Sequence, residues 1–169
     1  MKRILSLLLS VLMVLALFTA CTPASNNGNG NEEPETGNEE EPVAEDADVI
    51  KIGVFEPLTG MNGGGGLQEL GGIEYANKMY PEVLGKKIQL VVVDNKSDKG
   101  EATTAVTRLI EKDKVVAIIG SYGSAVSIAA GDIIKNAQIP AMGASCTNPM
   151  VTQGNEFYFR ACFLDPFQG

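Results

Sequence analysis

The stretch Lys86 to Gly120, KKIQLVVVDNKSDKGEATTAVTRLIEKDKVVAIIG, decides the fold. It opens with KKIQLVVVD, a β-branched run of strand length that reads as a buried strand. Asp98 then stands three residues before Glu101, a capping-box-like spacing that predicts a helix running to about Lys112. VVAIIG closes the stretch as another strand. A strand, a helix of 10 to 15 residues and a second strand make one unit of a parallel sheet, because the helix carries the chain back to start the next strand in the same direction.

The pattern repeats on both sides. Upstream, VIKIGVF (Val49 to Phe55) reads as a strand, and LQELGGIEYANKMY places Leu67, Leu70, Ile73 and Ala76 near helical spacing before Pro81 stops the helix. Downstream, SAVSIAAGDIIKNA reads as a helix with Ser124 at its N-cap, IPAMGA as a short fourth strand and EFYFRACF as a fifth. The fold class is therefore α/β, a doubly wound and mostly parallel sheet. Ligands of such sheets bind beyond the carboxyl ends of the strands. The segments to examine are the loops Glu56 to Gly66, Asp94 to Asp98, Gly120 to Gly123 and Gly143 to Pro149.

The first of these loops contains the glycine run Gly63 to Gly66. It is no P-loop, because no lysine occurs between Lys51 and Lys78. It also lacks the dinucleotide spacing: counted from Gly63 or Gly64, the sixth position is Gln68 or Glu69. Asp94, which closes the second strand, reads as a solvated strand end. The chain has no histidine, the commonest general base and metal ligand. Cys146 and Cys162 could pair as a disulfide or remain free thiols, and two cysteines without histidine make a weak zinc site. Neither a metal nor a cofactor is expected.

Residues before Val49 follow different rules. Met1 to Ala20 combines two cations, a 15-residue apolar run from Ile4 to Phe18 and a small residue before Cys21. That order predicts a signal peptide over residues 1–20, since the run is short of the roughly 20 residues of a spanning helix. LFTAC resembles the lipobox of bacterial lipoproteins, with Phe18 where leucine is usual, and this resemblance implies a lipid on Cys21. Thr22 to Asp48 carries nine acids, no Lys or Arg, and no large aliphatic residue except Val43. Such a segment cannot bury enough apolar area to offset its chain entropy, so residues 21–48 read as a lipidated cysteine and a disordered acidic tether. The tether's nine acids more than account for the net charge of -8. Beyond it, 11 cations face 12 acids with no basic patch, so nucleic acid is not an expected partner.

The segment from Asp48 to Gly169 resembles the N-terminal portion of a type I periplasmic substrate-binding protein, in particular the branched-chain amino acid (Leu/Ile/Val) group of ABC transporters. The resemblance is carried by IKIGVFEPLTG, GGIEYANK, LVVVDNKSDKGEATTAVTRLIEKDKVVAIIGSYGSAVSIAA, IPAMGASCTNPMVT and FYFRACFLDPFQG. It implies that residues 49–169 are the N-terminal lobe, incomplete, of a two-lobe periplasmic-binding-protein fold. It further implies an extracytoplasmic protein, held to the membrane by its N-terminal lipid, that captures a small amino acid and hands it to an ABC permease. No catalysis is required. By the same resemblance, Tyr122, Gly123 and Ser124 in GSYGSAV meet the ligand's carboxylate and side chain. SCT supplies Ser145, Cys146 and Thr147 as the second contact: the Ser145 carbonyl and Thr147 hydroxyl face its ammonium, while the Thr147 hydroxyl or N–H could also meet the carboxylate, Cys146 could equally be a core thiol and Tyr122 could pack on the surface. The glycine run stands where the family often has an aromatic residue, so it reads as a widened cleft edge or a tolerated low-complexity loop. A ligand-sensing receptor of the same fold, an amide, urea or small-carboxylate binder, and an exported α/β enzyme are the other readings. The enzyme reading lacks a histidine to activate Ser124 or Ser145.

Overall fold

The computed structural model describes residues 48–168. The signal peptide, Cys21 and all but the last residue of the tether lie outside the described residues, as does Gly169.

The described chain forms a six-stranded sheet. The strands are β1 (Val49–Glu56), β2 (Glu82–Val83), β3 (Lys86–Asp94), β4 (Ala117–Ile119), β5 (Ala141–Gly143) and β6 (Tyr158–Arg160). Their spatial order is β2-β3-β1-β4-β5-β6. Every pairing is parallel except β2 with β3, where the two-residue β2 runs antiparallel at the edge. β2 follows Pro81 and is too short to show in sequence periodicity. The helices are α1 (Gly63–Met79), α2 (Lys99–Glu111), α3 (Ser124–Ala137) and the short α4 (Asp165–Gln168).

Alternating residues of the strands feed two different faces. Phe55, Val91, Val93 and Ile118 turn toward α2 and α3, meeting Ala102, Ala105, Val106 and Leu109 of α2 and Val126, Ala130 and Ile134 of α3. Both helices present apolar residues at three- and four-residue intervals, so each lays one stripe on the sheet. Gly53 sits under Leu109 and Val115, where a Cβ would press on both side chains. This side is the core.

Among the described residues, α1 lies over the other face. Ile52, Ile88, Leu90 and Ile119 of the sheet face Ile73, Ala76 and Tyr80 of α1 across a groove of about 510 Å³. The apolar stripe read from the sequence of α1 stays largely open. Leu67 is 55% exposed, and only Gly63 and Gly66 of this helix are buried.

Two local readings are corrected. The glycine run is no loop: α1 begins at Gly63, and the amides of Gly65 and Gly66 both donate to the Asn62 carbonyl at 3.1 Å. Gly66 lies so close to the Pro57 carbonyl that a Cβ there would overlap it, and Gly65 lies under the ring of Tyr122. Close approach, rather than flexibility, is what these two glycines supply. Ser124 is not the N-cap of α3. Gly123 holds that position with φ of 97°, a conformation that favours glycine, and Ser124 is the first helical residue. By contrast Asp98 caps α2 as expected, its Oδ1 accepting from the amides of Gly100 at 2.8 Å and Glu101 at 2.9 Å. The reciprocal half of the box is absent, because Glu101 pairs with Lys96 at 3.1 Å.

Candidate ligand site

The chain passes from β1 out to β3 on one side and then back to β4 on the other, so the loops after β1 and β4 diverge from adjacent strand ends. That divergence opens the crevice in which parallel sheets bind ligands. β5 lies next to β4 and adds the loop after Gly143.

The two predicted clusters meet there. Tyr122, Gly123 and Ser124 lie between β4 and α3; Ser145, Cys146 and Thr147 follow β5. Ser124 joins the loops directly, its Oγ accepting from the Asn148 amide at 3.1 Å. The amides of Ser124, Ala125 and Val126 at the opening of α3 have no hydrogen-bond partner among the described residues, and Gly123 brings no side chain to cap them. Unpartnered donors at a helix N-terminus attract an anion, by ~0.3–1 kcal/mol when exposed and more when partly buried. The Thr147 hydroxyl likewise has no partner among the described residues. The Tyr122 ring, 37% exposed, lies over Gly65 at the crevice edge.

Cys146 is separated from its neighbours. It is fully buried in the core cluster, its Sγ filling the space left by the missing Cβ of Gly143. Burial pushes its thiol up to about 11, and its carbonyl accepts from Arg160 Nη1 at 2.8 Å. Of the readings open in the sequence, the side chain takes that of a core thiol. Cys146 and Cys162 are both free. Ser145 Oγ donates to Glu69 Oε1 on α1.

A set of buried polar side chains, missed in the sequence, fixes the 120–123 loop. Glu56 at the end of β1 accepts from the Tyr122 amide through Oε2 at 2.7 Å. Asn95 Nδ2 donates to Ser121 Oγ at 2.8 Å and to the Phe55 carbonyl at 3.3 Å. Tyr158 donates its hydroxyl to the Gly120 carbonyl at 2.6 Å, and Ser127 Oγ accepts from the Ser121 amide at 3.3 Å. Glu56, Asn95, Ser121 and Ser127 are fully buried. The one local signal was that Glu56 and Asn95 end apolar strands with a polar group. Their partners are 26 to 66 residues away, beyond any window of periodicity.

Asp94 is more than a solvated strand end. It accepts from the amides of Leu58 at 2.8 Å, Thr59 at 3.3 Å and Lys96 at 2.8 Å, and from the Thr59 hydroxyl at 2.6 Å. Partial burial raises its carboxyl, but the Thr59 hydroxyl and the three amides outweigh burial and hold it below its usual value. Asp94 thus staples the β1–α1 loop to the end of β3. Among the described residues, no group of three or more Cys, Asp or Glu side chains could hold a metal ion.

The fold is a mostly parallel sheet whose β4–α3 loop and the loop after β5 are joined at its switch point. Residues 49–164 match the periplasmic binding protein family, and the chain belongs to it. It is 35% identical over 127 residues to an amino acid binding protein of Pseudomonas aeruginosa, covering 73% of this chain and 34% of that one. Among solved structures, the leucine binding protein LivK of Thermotoga maritima superposes with a TM-score of 0.69 at 44% identity, over 70% of this chain and 34% of that one. The branched-chain amino acid substrate binding protein LivJ of Streptococcus pneumoniae, in complex with isoleucine, superposes with a TM-score of 0.66 at 30% identity, over 69% and 34%. The chain thus spans about a third of the length of these relatives.

Proposed function

We propose that this chain carries the first ligand-gripping lobe of an extracytoplasmic solute-binding protein, one that captures a small amino acid of the branched-chain type and delivers it to an ABC importer permease. The observation that carries this reading is the meeting of two loops at the switch point. Asn148 and Ser124 join the loop that opens α3 to the loop after β5, and neither the first amides of α3 nor the Thr147 hydroxyl has a hydrogen-bond partner among the described residues. An α-amino acid presents a carboxylate and an ammonium on one carbon, and the two joined loops carry both donors and acceptors for them. The likeness to a leucine binding protein and to a protein holding isoleucine supports the same class.

In this reading the α-carboxylate takes the amides at the opening of α3 with Ser124 and Gly123. The ammonium takes the Ser145 carbonyl and the Thr147 hydroxyl. The Tyr122 ring bounds the side-chain pocket. A second lobe closes over the ligand, and the ligand shifts the open-closed balance by its preference for the closed state. The protein stands at the membrane surface through a lipid on Cys21. Transport needs no bond-making step, so the protein is not an enzyme.

The experiment is a thermal-shift screen of the protein with amino acids, small amides, urea and short carboxylates. A ligand present at 100 times its Kd stabilises the fold by ~2.7 kcal/mol. A shift confined to leucine, isoleucine and valine is the expected outcome. A shift with an amide or urea alone overturns the amino acid assignment. Ser124→Ala and Thr147→Ala should each weaken leucine binding by roughly 1–3 kcal/mol, or about fivefold to 150-fold. Unchanged affinity in both would return these residues to purely structural roles.

A further inference from the structure

The buried carboxyl of Glu56 is left over once the ligand grip is assigned. Its Oε2 is spent on the Tyr122 amide, while its Oε1 is buried without a partner. Glu69 of α1 presents the matching defect: Oε1 receives the Ser145 hydroxyl, while Oε2 is buried without a partner. Glu69 is close enough to Glu56 to raise its carboxyl, through its charge and through hydrogen bonding. Two carboxylates cannot sit together in a dry site without strong repulsion, whereas one proton between them supplies the donor that both orphaned oxygens lack. The pair therefore links four elements. Glu56 reaches from β1 to the loop of Tyr122, and Glu69 reaches from α1 to the loop of Ser145.

We propose that Glu56 is a positioning residue for the ligand site: sharing one proton with Glu69, it holds the 120–124 loop and the 145–147 loop at the spacing the ligand requires, and loss of that proton loosens the grip. This inference rests on the reading of those two loops as the ligand site.

Several features support it. Burial, above all, pushes the Glu56 carboxyl up to about 8; the Tyr122 amide opposes this and Glu69 reinforces it. The groups that act most on Glu56 are the Tyr122 amide, the Glu69 carboxyl from α1 and the Ser121 hydroxyl, none of them a cation. From β6, the Tyr158 phenol is driven by burial well above its ordinary range, and from the loop after β5 the Cys146 thiol is pushed up to about 11. Both stay neutral while Glu56 titrates. Losing the shared proton has two effects of the same sign. The carboxylates repel, separating α1 and the Ser145 loop from the Tyr122 loop. A new negative charge also appears close behind the amides that receive the ligand's carboxylate.

The test follows amide NMR shifts of residues 122–126 and L-leucine affinity from pH 6 to 9, in the wild type, E56Q and E69Q. The expected result is a common titration of these amides with a midpoint near 8. Leucine affinity falls with it, by up to about tenfold between pH 6 and 9, since one coupled proton gives at most tenfold per pH unit and only one unit lies above the midpoint. E56Q has no proton to lose and should be flat in both readouts, and E69Q should lower the midpoint by removing the repelling partner. Loop amides that do not titrate in this window, or a wild-type affinity that is flat while they do, overturn the proposal. If leucine binds at no pH while the amides still titrate near 8 and E56Q abolishes it, the loop coupling stands and the leucine assignment fails instead.

Discussion

The glycine run gives the sharpest test of the structure, because its members make opposite demands within one helical turn. At Gly64 a Cβ would meet nothing, and the residue is exposed. Alanine there should stabilise α1 by the difference in helix propensity, about 0.8–1 kcal/mol. At Gly66 the same methyl would overlap the Pro57 carbonyl, which is backbone and cannot swing aside. Overpacking of this kind costs about 1–3 kcal/mol, which exceeds the propensity gain, so Gly66→Ala should be net destabilising. The propensity gain is common to both, so the two variants should differ by the overlap cost, roughly 1–3 kcal/mol, with Gly64→Ala above the wild type and Gly66→Ala below it. Gly65→Ala falls between them. Its methyl would meet the ring of Tyr122, a partly exposed side chain that can rotate away, so fold stability should change little while the ring leaves the crevice edge. Urea unfolding of the ligand-free proteins, followed by far-UV circular dichroism, reads all three on one scale. If Gly66→Ala proves as stabilising as Gly64→Ala, then α1 does not begin against Pro57, and the account of its first turn is wrong.

Three further outcomes are expected. Tyr158→Phe leaves the buried Gly120 carbonyl without the donor that now reaches it at 2.6 Å, and should cost about 1–3 kcal/mol in urea unfolding; an unchanged midpoint would show that water or another group takes over. Stability should fall as pH rises from about 4.5 toward 8, because folded Glu56 keeps a proton that the unfolded chain releases; the slope is at most ~1.4 kcal/mol per pH unit. E56Q should remove that slope, and a wild type whose stability is level over this range would contradict the buried acid. Cys21→Ser should abolish partitioning into a detergent phase, whereas persistent partitioning would mark the apolar N-terminus, rather than a lipid, as the anchor.

Much of the fold was legible because its signals are local. The β-branched runs of β1 and β3 and the Asp98 cap of α2 involve residues within a few positions of one another, and the structure matches them closely. The errors arose where a distant group decides the local conformation. Four glycines look like a loop on propensity alone, yet the Pro57 carbonyl and the Tyr122 ring leave room for nothing larger at two of them. Ser124 has the right chemistry for a cap, but Gly123 takes the capping position and the serine oxygen is engaged by Asn148 from the next loop. Cys146 sits between two residues predicted to meet the ligand, and only the missing Cβ of Gly143 shows why its own side chain turns inward.

The two ends of the structure are held together by different forces, and the difference bears on function. Behind the crevice, the 120–123 loop is held less by apolar packing than by hydrogen bonds from Glu56, Asn95, Ser127 and Tyr158, contributed by β1, the end of β3, α3 and β6. Polar networks of this kind cost desolvation, but they fix donors and acceptors in one geometry, because any slip leaves a buried group unpaired. In the proposed ligand site, a ligand would meet amides already aimed, and less of its binding energy would go into ordering the loop. The α1 face shows the opposite arrangement, an open apolar groove with few polar constraints. Glu69 stands where the two meet: it lines the groove, and its carboxyl reaches Ser145 and Glu56. Whatever shifts α1 on the sheet must therefore shift Glu69, and with it the Ser145 loop and the proposed acid pair behind the Tyr122 loop.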